Sequence, residues 1–314
     1  MTTRHLLLSL LLIAGCYNDS QILQLYKHCY NSLWIWEFPQ SMGEKHQLIM
    51  SAKRSNISFL FMNLYSSQTN SQGYNLPEFA SVEAIDAMVV LENMSIWAVY
   101  GTPQWIHAPC DSNIVPLVKG IIAYKLKNTH SAIMGIVLDI EPTEPVSTDT
   151  FIAMLELFKC TKEFLREYNL QLGIAFRFFW TDSIYFNNRF RPVYQHIINL
   201  ADLPIIMAYR DFAGSQCPDN GIICLSEPVV EYASSIGKPI MIGVETKDCV
   251  PDCGPEHVTF YEEGQRVLNQ EMTKVYEHFS DFKIGFSIHA YQQEYLSGKG
   301  EWQSTNPKFP CSKM

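Results

Sequence analysis

The stretch AIMGIVLDIE (132–141), followed by TDTFIAMLELFKCTKEFLREYN (148–169) and LGIAFRFFW (172–180), decides the fold. The outer two segments are short apolar runs of strand length. Between them Phe151, Met154, Leu155, Phe158, Phe164 and Leu165 fall along one face at helical spacing, which predicts an amphipathic helix. The first run carries an anomaly, because a strand that should be buried ends on two acids, Asp139 and Glu141. Side chains alternate along a strand, so both acids share a face with Gly135 and Val137. Either the strand has ended and they are in water, or they face a pocket at its carboxyl end.

Working outward, the same pattern repeats along the chain. Further runs rich in Ile, Val, Phe, Trp and Tyr lie at 32–38 (SLWIWEF), 57–65 (ISFLFMNLY), 95–102 (SIWAVYGT), 203–210 (LPIIMAYR), 239–246 (PIMIGVET) and 283–291 (KIGFSIHAY). A second clear helix pattern follows the seventh run, through Val267, Leu268, Met272, Val275 and Phe279. Eight strands alternating with helices predict an α/β fold, a single-domain (β/α)8 TIM barrel over 17–314, and 314 residues suit one.

In such a barrel the site is built at the carboxyl ends of the strands. The strand ends deliver Trp36 or Glu37, Tyr65, Tyr100, Asp139 with Glu141, Arg177, Trp180, Met207 with Tyr209, Glu245, and His289 with Tyr291; Trp105 follows the third strand. Each alone has an ordinary explanation. A lone acid is solvated or caps a helix, Arg177 is a counter-ion of Asp139 or Glu141, His289 is a bonded core histidine, and Trp36, Trp105 and Trp180 are packing. Convergence on one rim points to a site. Carboxylates beside flat aromatic rings suit glycoside hydrolysis: one acid protonates the leaving oxygen, a second group attacks or stabilises the anomeric centre, and rings stack on sugars. Glu141 is the expected acid, paired with Asp139 on its own strand or with Glu245 across the mouth. Trp36, Tyr65, Trp105, Arg177, Trp180, Tyr209, His289 and Tyr291 are the expected substrate-binding residues. No cofactor or metal is expected, and a metal-dependent hydrolase using Asp139, Glu141, His289 and Glu245 ranks last, since only His289 supplies a well-placed imidazole.

GIVLDIE (135–141) resembles the strand-four signature of the family 18 glycoside hydrolases, the chitinases and chitinase-like proteins. Gly135, Ile136, Leu138, Asp139 and Glu141 match it, and Val137 stands where the family has its first aspartate. MAY (207–209) resembles the family's strand-six segment. The resemblance implies a barrel acting on N-acetylhexosamine glycans, with Glu141 as acid, Asp139 as its partner, Tyr209 as a ligand of the acetamido group, and that acetamide as the nucleophile. A chitinase-like lectin without turnover is the alternative. The chain also resembles retaining glycosidases of the large barrel clan, which place the acid at strand four and the nucleophile at strand seven, the positions of Glu141 and Glu245. GVET, FYEEG and IHAY are similar to segments of uncharacterised secreted barrel proteins.

Composition bounds the partners. With 47% apolar and 18% charged residues the chain can bury a large core, and a net charge of −9 without a basic block argues against nucleic acid. MTTRHLLLSLLLIAGC (1–16) sets Arg4 before an apolar stretch from Leu6 to Ala14, which is read as a cleaved signal peptide; lipidation at Cys16 is the alternative. No later segment is apolar enough for a membrane anchor. Asn18, Asn56 and Asn93 begin N-x-S sequons, so a secreted, extracellular glycoprotein is expected, with Asn56 and Asn93 at the amino-terminal rim. Beyond Cys16 the eight cysteines Cys29, Cys110, Cys160, Cys217, Cys224, Cys249, Cys253 and Cys311 read as disulfides, with Cys217–Cys224 and Cys249–Cys253 the closest pairs; zinc on Cys249, Cys253 and His257 is the minor alternative.

Overall fold

The computed structural model describes residues 31–64, 69–70, 73–74, 79–214, 220–249 and 256–291. Eight parallel strands close a barrel: β1 (Asn31–Ile35), β2 (Ile57–Met62), β3 (Ser95–Tyr100), β4 (Ile133–Asp139), β5 (Gln171–Arg177), β6 (Leu203–Met207), β7 (Ile240–Glu245) and β8 (Ile284–His289). Each strand pairs with its neighbours in sequence, and β1 pairs with β8. A helix follows each of the first seven strands: α1 (Met42–Arg54), α2 (Phe79–Leu91), α3 (Cys110–Lys127), α4 (Thr148–Glu167), α5 (Val193–Leu200), α6 (Ile222–Ser235) and α7 (Gly264–His278). The expected (β/α)8 architecture is therefore the observed one. Of the eight strands read from the sequence, all are present, and each stops one to three residues short of its expected carboxyl end. The apolar pattern runs on past the last ladder hydrogen bond because the residues there line the barrel mouth.

Local chemistry places the helices. Ser41 accepts from the Glu44 N–H at 3.1 Å while Glu44 Oε2 accepts from the Ser41 N–H at 2.9 Å, a reciprocal cap that starts α1. Ser147 accepts from the Thr150 N–H at 3.1 Å and starts α4. A disulfide between Cys110 and Cys160, with Cα atoms 6.3 Å apart, ties the start of α3 to the middle of α4. Sequence spacing gave no hint of this pair, because the two cysteines meet only when neighbouring helices pack. Cys224 and Cys249 are also disulfide-bonded, so Cys249 has no thiolate to offer zinc. The pairings expected for them involve Cys217 and Cys253, which lie outside the described residues, as do residues 1–16, expected to be a signal peptide, and Asn18.

Two cores result. Ile136 and Leu138 of β4, with Ile140 just past its end, face outward and pack under the helices with Met154, Leu155 and Phe158. Trp34, Phe59, Phe61, Trp97, Val99, Val137, Ala175, Leu203, Ile205 and Met241 fill the interior. Val137 in the inner set fixes the phase of β4 and sends Asp139 to the same side, toward the mouth. Interior filling is uneven: β1–β3 contribute large aromatics, β4 and β5 mainly small residues. Gly135 is required by this closeness, since a Cβ there would meet the Gln171 carbonyl oxygen at 2.1 Å. The closing seam is polar. Ser287 Oγ lies 2.7 Å from both Ser32 Oγ and Trp34 Nε1, and Asn31 Oδ1 accepts from the Phe286 N–H at 2.9 Å.

Asn56 directly precedes β2 and Asn93 precedes β3 by two residues, so both stand at the rim opposite the strand carboxyl ends, as expected. Both have positive φ, 56° and 55°, a backbone state that asparagine tolerates after a helix. Among the described residues no helix is long and apolar enough to cross a membrane.

Candidate active site

Two groups of side chains meet at the carboxyl ends of the strands. The first belongs to β4 and β5. Asp139 ends β4, and Glu141 follows two residues later. Arg177, the last residue of β5, donates from Nε to Glu141 Oε2 at 2.7 Å and reaches Glu144 Oε1 from Nη1 at 3.4 Å. The counter-ion role expected for Arg177 is thus played toward Glu141. Asp139 is part-buried, its Oδ1 is sealed from solvent, and that atom has no hydrogen-bond partner. Burial raises the Asp139 pKa from 3.8 to about 7; the negative charge of Glu141 adds to the rise, and His289 and Arg177 oppose it. A carboxyl group in this state exchanges its proton near neutrality. Gly101, just after β3, permits the approach, because a Cβ there would lie 1.7 Å from the Asp139 carbonyl oxygen.

The second group belongs to β7, β8 and the end of β1. Glu245 is 3% exposed and fully engaged. Its Oε1 accepts the N–H groups of Thr246 at 2.9 Å and Lys247 at 2.8 Å, and its Oε2 lies 2.7 Å from His289 Nδ1. The other ring nitrogen of His289, Nε2, accepts from Trp36 Nε1 at 2.7 Å. An indole nitrogen only donates, so Nε2 carries no hydrogen and the neutral ring holds its proton on Nδ1, donating to Glu245. Trp36 is 37% exposed and stacks on buried Trp34, with ring centroids 5.6 Å apart and planes at 28°.

Tyr209, two residues beyond β6, joins the groups. Its ring is tilted 30° to that of His289 at 6.0 Å. Burial raises its phenol well above the ordinary value, and the charges of Glu245, Asp139 and Glu141 add to the shift. Five strands therefore bring Asp139, Glu141, Arg177, Tyr209, Glu245 and His289 to one mouth, with Trp36 on its β1 side.

The other expected residues lie elsewhere. Trp180 is 1% exposed and packs edge-on against Phe151 of α4, so its ring offers no face to a ligand. Its indole donates to Glu144 Oε1 at 3.3 Å. Trp105 is likewise buried in the outer core, and Tyr100 faces that core rather than the interior. Tyr291 sits at the rim near α1: its N–H donates to the Trp34 carbonyl at 2.7 Å, and burial with the charge of Glu44 raises its pKa to about 12. Tyr65 lies outside the described residues. Sequence reasoning missed two members. Glu144 is the second acid of EPTEP, three residues past Glu141, and Trp34 shares the face of Trp36 by simple alternation. Among the described residues no three His, Cys, Asp or Glu side chains are grouped to hold a metal ion.

No family model matches the sequence, and no curated protein is significantly similar to it. Solved structures share its fold at low identity. A chitinase from Chromobacterium violaceum is 12% identical with a TM-score of 0.53 over 89% of this chain and 96% of that one. A variant of a family 18 chitinase from Cycas revoluta, in complex with (GlcNAc)4, is 13% identical with a TM-score of 0.53 over 83% of this chain and 94% of that one. The endo-beta-1,4-mannanase of Thermotoga petrophila is 12% identical with a TM-score of 0.57 over 84% of this chain and 68% of that one. The barrel is thus similar to those of family 18 chitinases and related glycoside hydrolases, a likeness of fold.

Proposed function

We propose that the protein is a secreted glycoside hydrolase of N-acetylhexosamine glycans, with Glu141 as general acid and the substrate's own acetamide as nucleophile. One observation carries this reading: Asp139 and Glu141 share one face at the end of β4, Asp139 with a sealed, unpartnered oxygen, while Glu245 at the end of β7 has both oxygens committed. In the proposed step Glu141 gives its proton to the glycosidic oxygen as the bond to the anomeric carbon breaks. The acetamide oxygen closes on that carbon and forms a cyclic intermediate, which water opens. In this reading Asp139 is the partner of Glu141 and Tyr209 the ligand of the acetamido group, roles that rest on the family resemblance and on the position of both residues at the mouth. A two-carboxylate route through Glu245 has less support, since a nucleophile must be free to leave its hydrogen bonds. The (GlcNAc)4 ligand of the Cycas chitinase agrees with the substrate class. Export is supported by the Cys110–Cys160 bond and by the disulfide state of Cys224 and Cys249.

A lectin is the second reading, favoured by the 2.7 Å pairing of Arg177 with Glu141, which occupies the oxygen that a proton donor would use. The two separate in one experiment, in which parent and Glu141→Gln proteins are offered aryl glycosides of acetamido and plain sugars and both release and binding are measured. Release from acetamido substrates only, lost in the variant while binding persists, supports the hydrolase. Binding without release in the parent would establish the lectin.

A further inference from the structure

The chain of hydrogen bonds running from β7 to the barrel lip has a direction and an endpoint. Backbone N–H groups of Thr246 and Lys247 donate to Glu245 Oε1, His289 Nδ1–H donates to Glu245 Oε2, and Trp36 Nε1–H donates to His289 Nε2. Both oxygens of Glu245 and both ring nitrogens of His289 are engaged, and the side-chain part of the chain has no second arrangement: a proton on Nε2 would face the indole N–H, and one missing from Nδ1 would set two acceptors against each other. Its outer end is an indole that is 37% exposed, a position where the ring would ordinarily rotate and hydrogen-bond to water. Trp34 fixes the ring from below, and the histidine fixes it from the side. An exposed aromatic ring held at two points next to buried carboxylates is a preorganised surface, which loses little freedom when a ligand settles on it.

We infer that Glu245 and His289 are positioning residues that hold the Trp36 indole as a fixed platform for the apolar face of a pyranose ring entering the mouth. The inference rests on the glycan reading above. It assigns the buried Glu245 to substrate placement rather than to bond cleavage, and makes Trp36 a determinant of affinity.

The test uses the full-length protein labelled with 15N at the tryptophan indoles, the Trp36 signal being assigned by its absence from Trp36→Phe. Exchange of that indole proton with solvent is followed in the parent, His289→Leu and His289→Gln, and binding of a soluble acetamido-sugar tetramer is titrated in all four proteins. The parent proton is expected to be protected. His289→Leu should lose the protection and bind about tenfold more weakly, and His289→Gln, which can still accept from the indole and donate to Glu245, should recover most of both. Trp36→Phe leaves the buried pair untouched and should bind about fivefold more weakly, which keeps the test valid where His289→Leu fails to fold. An indole proton that exchanges freely in the parent overturns the positioning role, and so does unchanged binding in Trp36→Phe. Protection in the parent with no glycan bound by any of the proteins would overturn the glycan reading and the platform's ligand, while the lock itself would stand.

Discussion

The end of β4 and the end of β7 each present a carboxylate to the same mouth, and the two are opposites. Glu245 on β7 is buried with three hydrogen bonds, two from backbone and one from a histidine held in a single tautomer. Asp139 on β4 has a sealed oxygen with no partner and a pKa pushed up to about 7 by burial and by Glu141. Buried polar groups are ordinarily satisfied, and an exception marks stored free energy awaiting a ligand or a reaction. Satisfaction, more than burial or position, therefore separates a carboxylate that builds the mouth from one available for chemistry in it.

The sharpest way to break this contrast is at Glu141. Glu141→Gln should lower turnover on acetamido glycosides about 10²- to 10⁴-fold, the usual worth of a general acid, with binding changed little. Substrate-release assays with parallel calorimetry decide it, and equal turnover in both proteins would remove Glu141 from the chemistry.

The next effect is on stability. Asp139 binds a proton more tightly in the folded protein than in the unfolded chain, whose carboxyl has a pKa of 3.8. Its contribution is fully present below about pH 4 and is lost as pH rises through about 7, on the order of a few kcal/mol in all. Asp139→Asn should flatten the pH dependence across this window and be the more stable protein above pH 7. Chemical denaturation of parent and variant at pH 4.5 and 8 measures the difference; parallel curves would mean that Asp139 is not strained.

On β7 the sign reverses. Glu245→Gln places an amide NH2 against either the two backbone N–H groups or His289 Nδ1–H, and switching the histidine tautomer only moves the clash to Trp36. A loss of about 1–3 kcal/mol is expected at every pH, read as a lower midpoint in denaturant. In Glu245→Ala, where truncation leaves room for a small anion, azide should not raise turnover on plain glycosides; if it does, Glu245 is a nucleophile and the contrast fails. The smallest effect expected is at Trp180→Phe, which loses the bond to Glu144 and leaves part of a buried site unfilled, costing about 1–2 kcal/mol.

The barrel was legible in the sequence because eight apolar runs and the helical spacing of 148–169 repeat one signal, and repetition corrects local error. Asp139, Glu141, Tyr209, Glu245 and His289 were legible through alternation alone, since each sits in phase with an interior-facing position. Trp180 was not. It lies three residues past the last ladder residue of β5, where the period of two has lapsed, and the backbone turns its ring under α4. Trp105 lies in a 3-10 turn and was beyond alternation for the same reason. The split of roles between Asp139 and Glu245 was also hidden, because it depends on which backbone N–H groups happen to point at a carboxylate.

Asn56 and Asn93 stand at the far end of strands β2 and β3 from all this chemistry, each strand being six residues long. At about 3.3 Å per residue that is a separation of roughly 20 Å. On the proposed function the molecule would thus have a handle and a working face. Anything attached at either asparagine, whether a sugar chain, a dye or a solid support, presents the mouth outward, so surface-tethered protein should retain access to insoluble polymers that a randomly coupled preparation would partly lose.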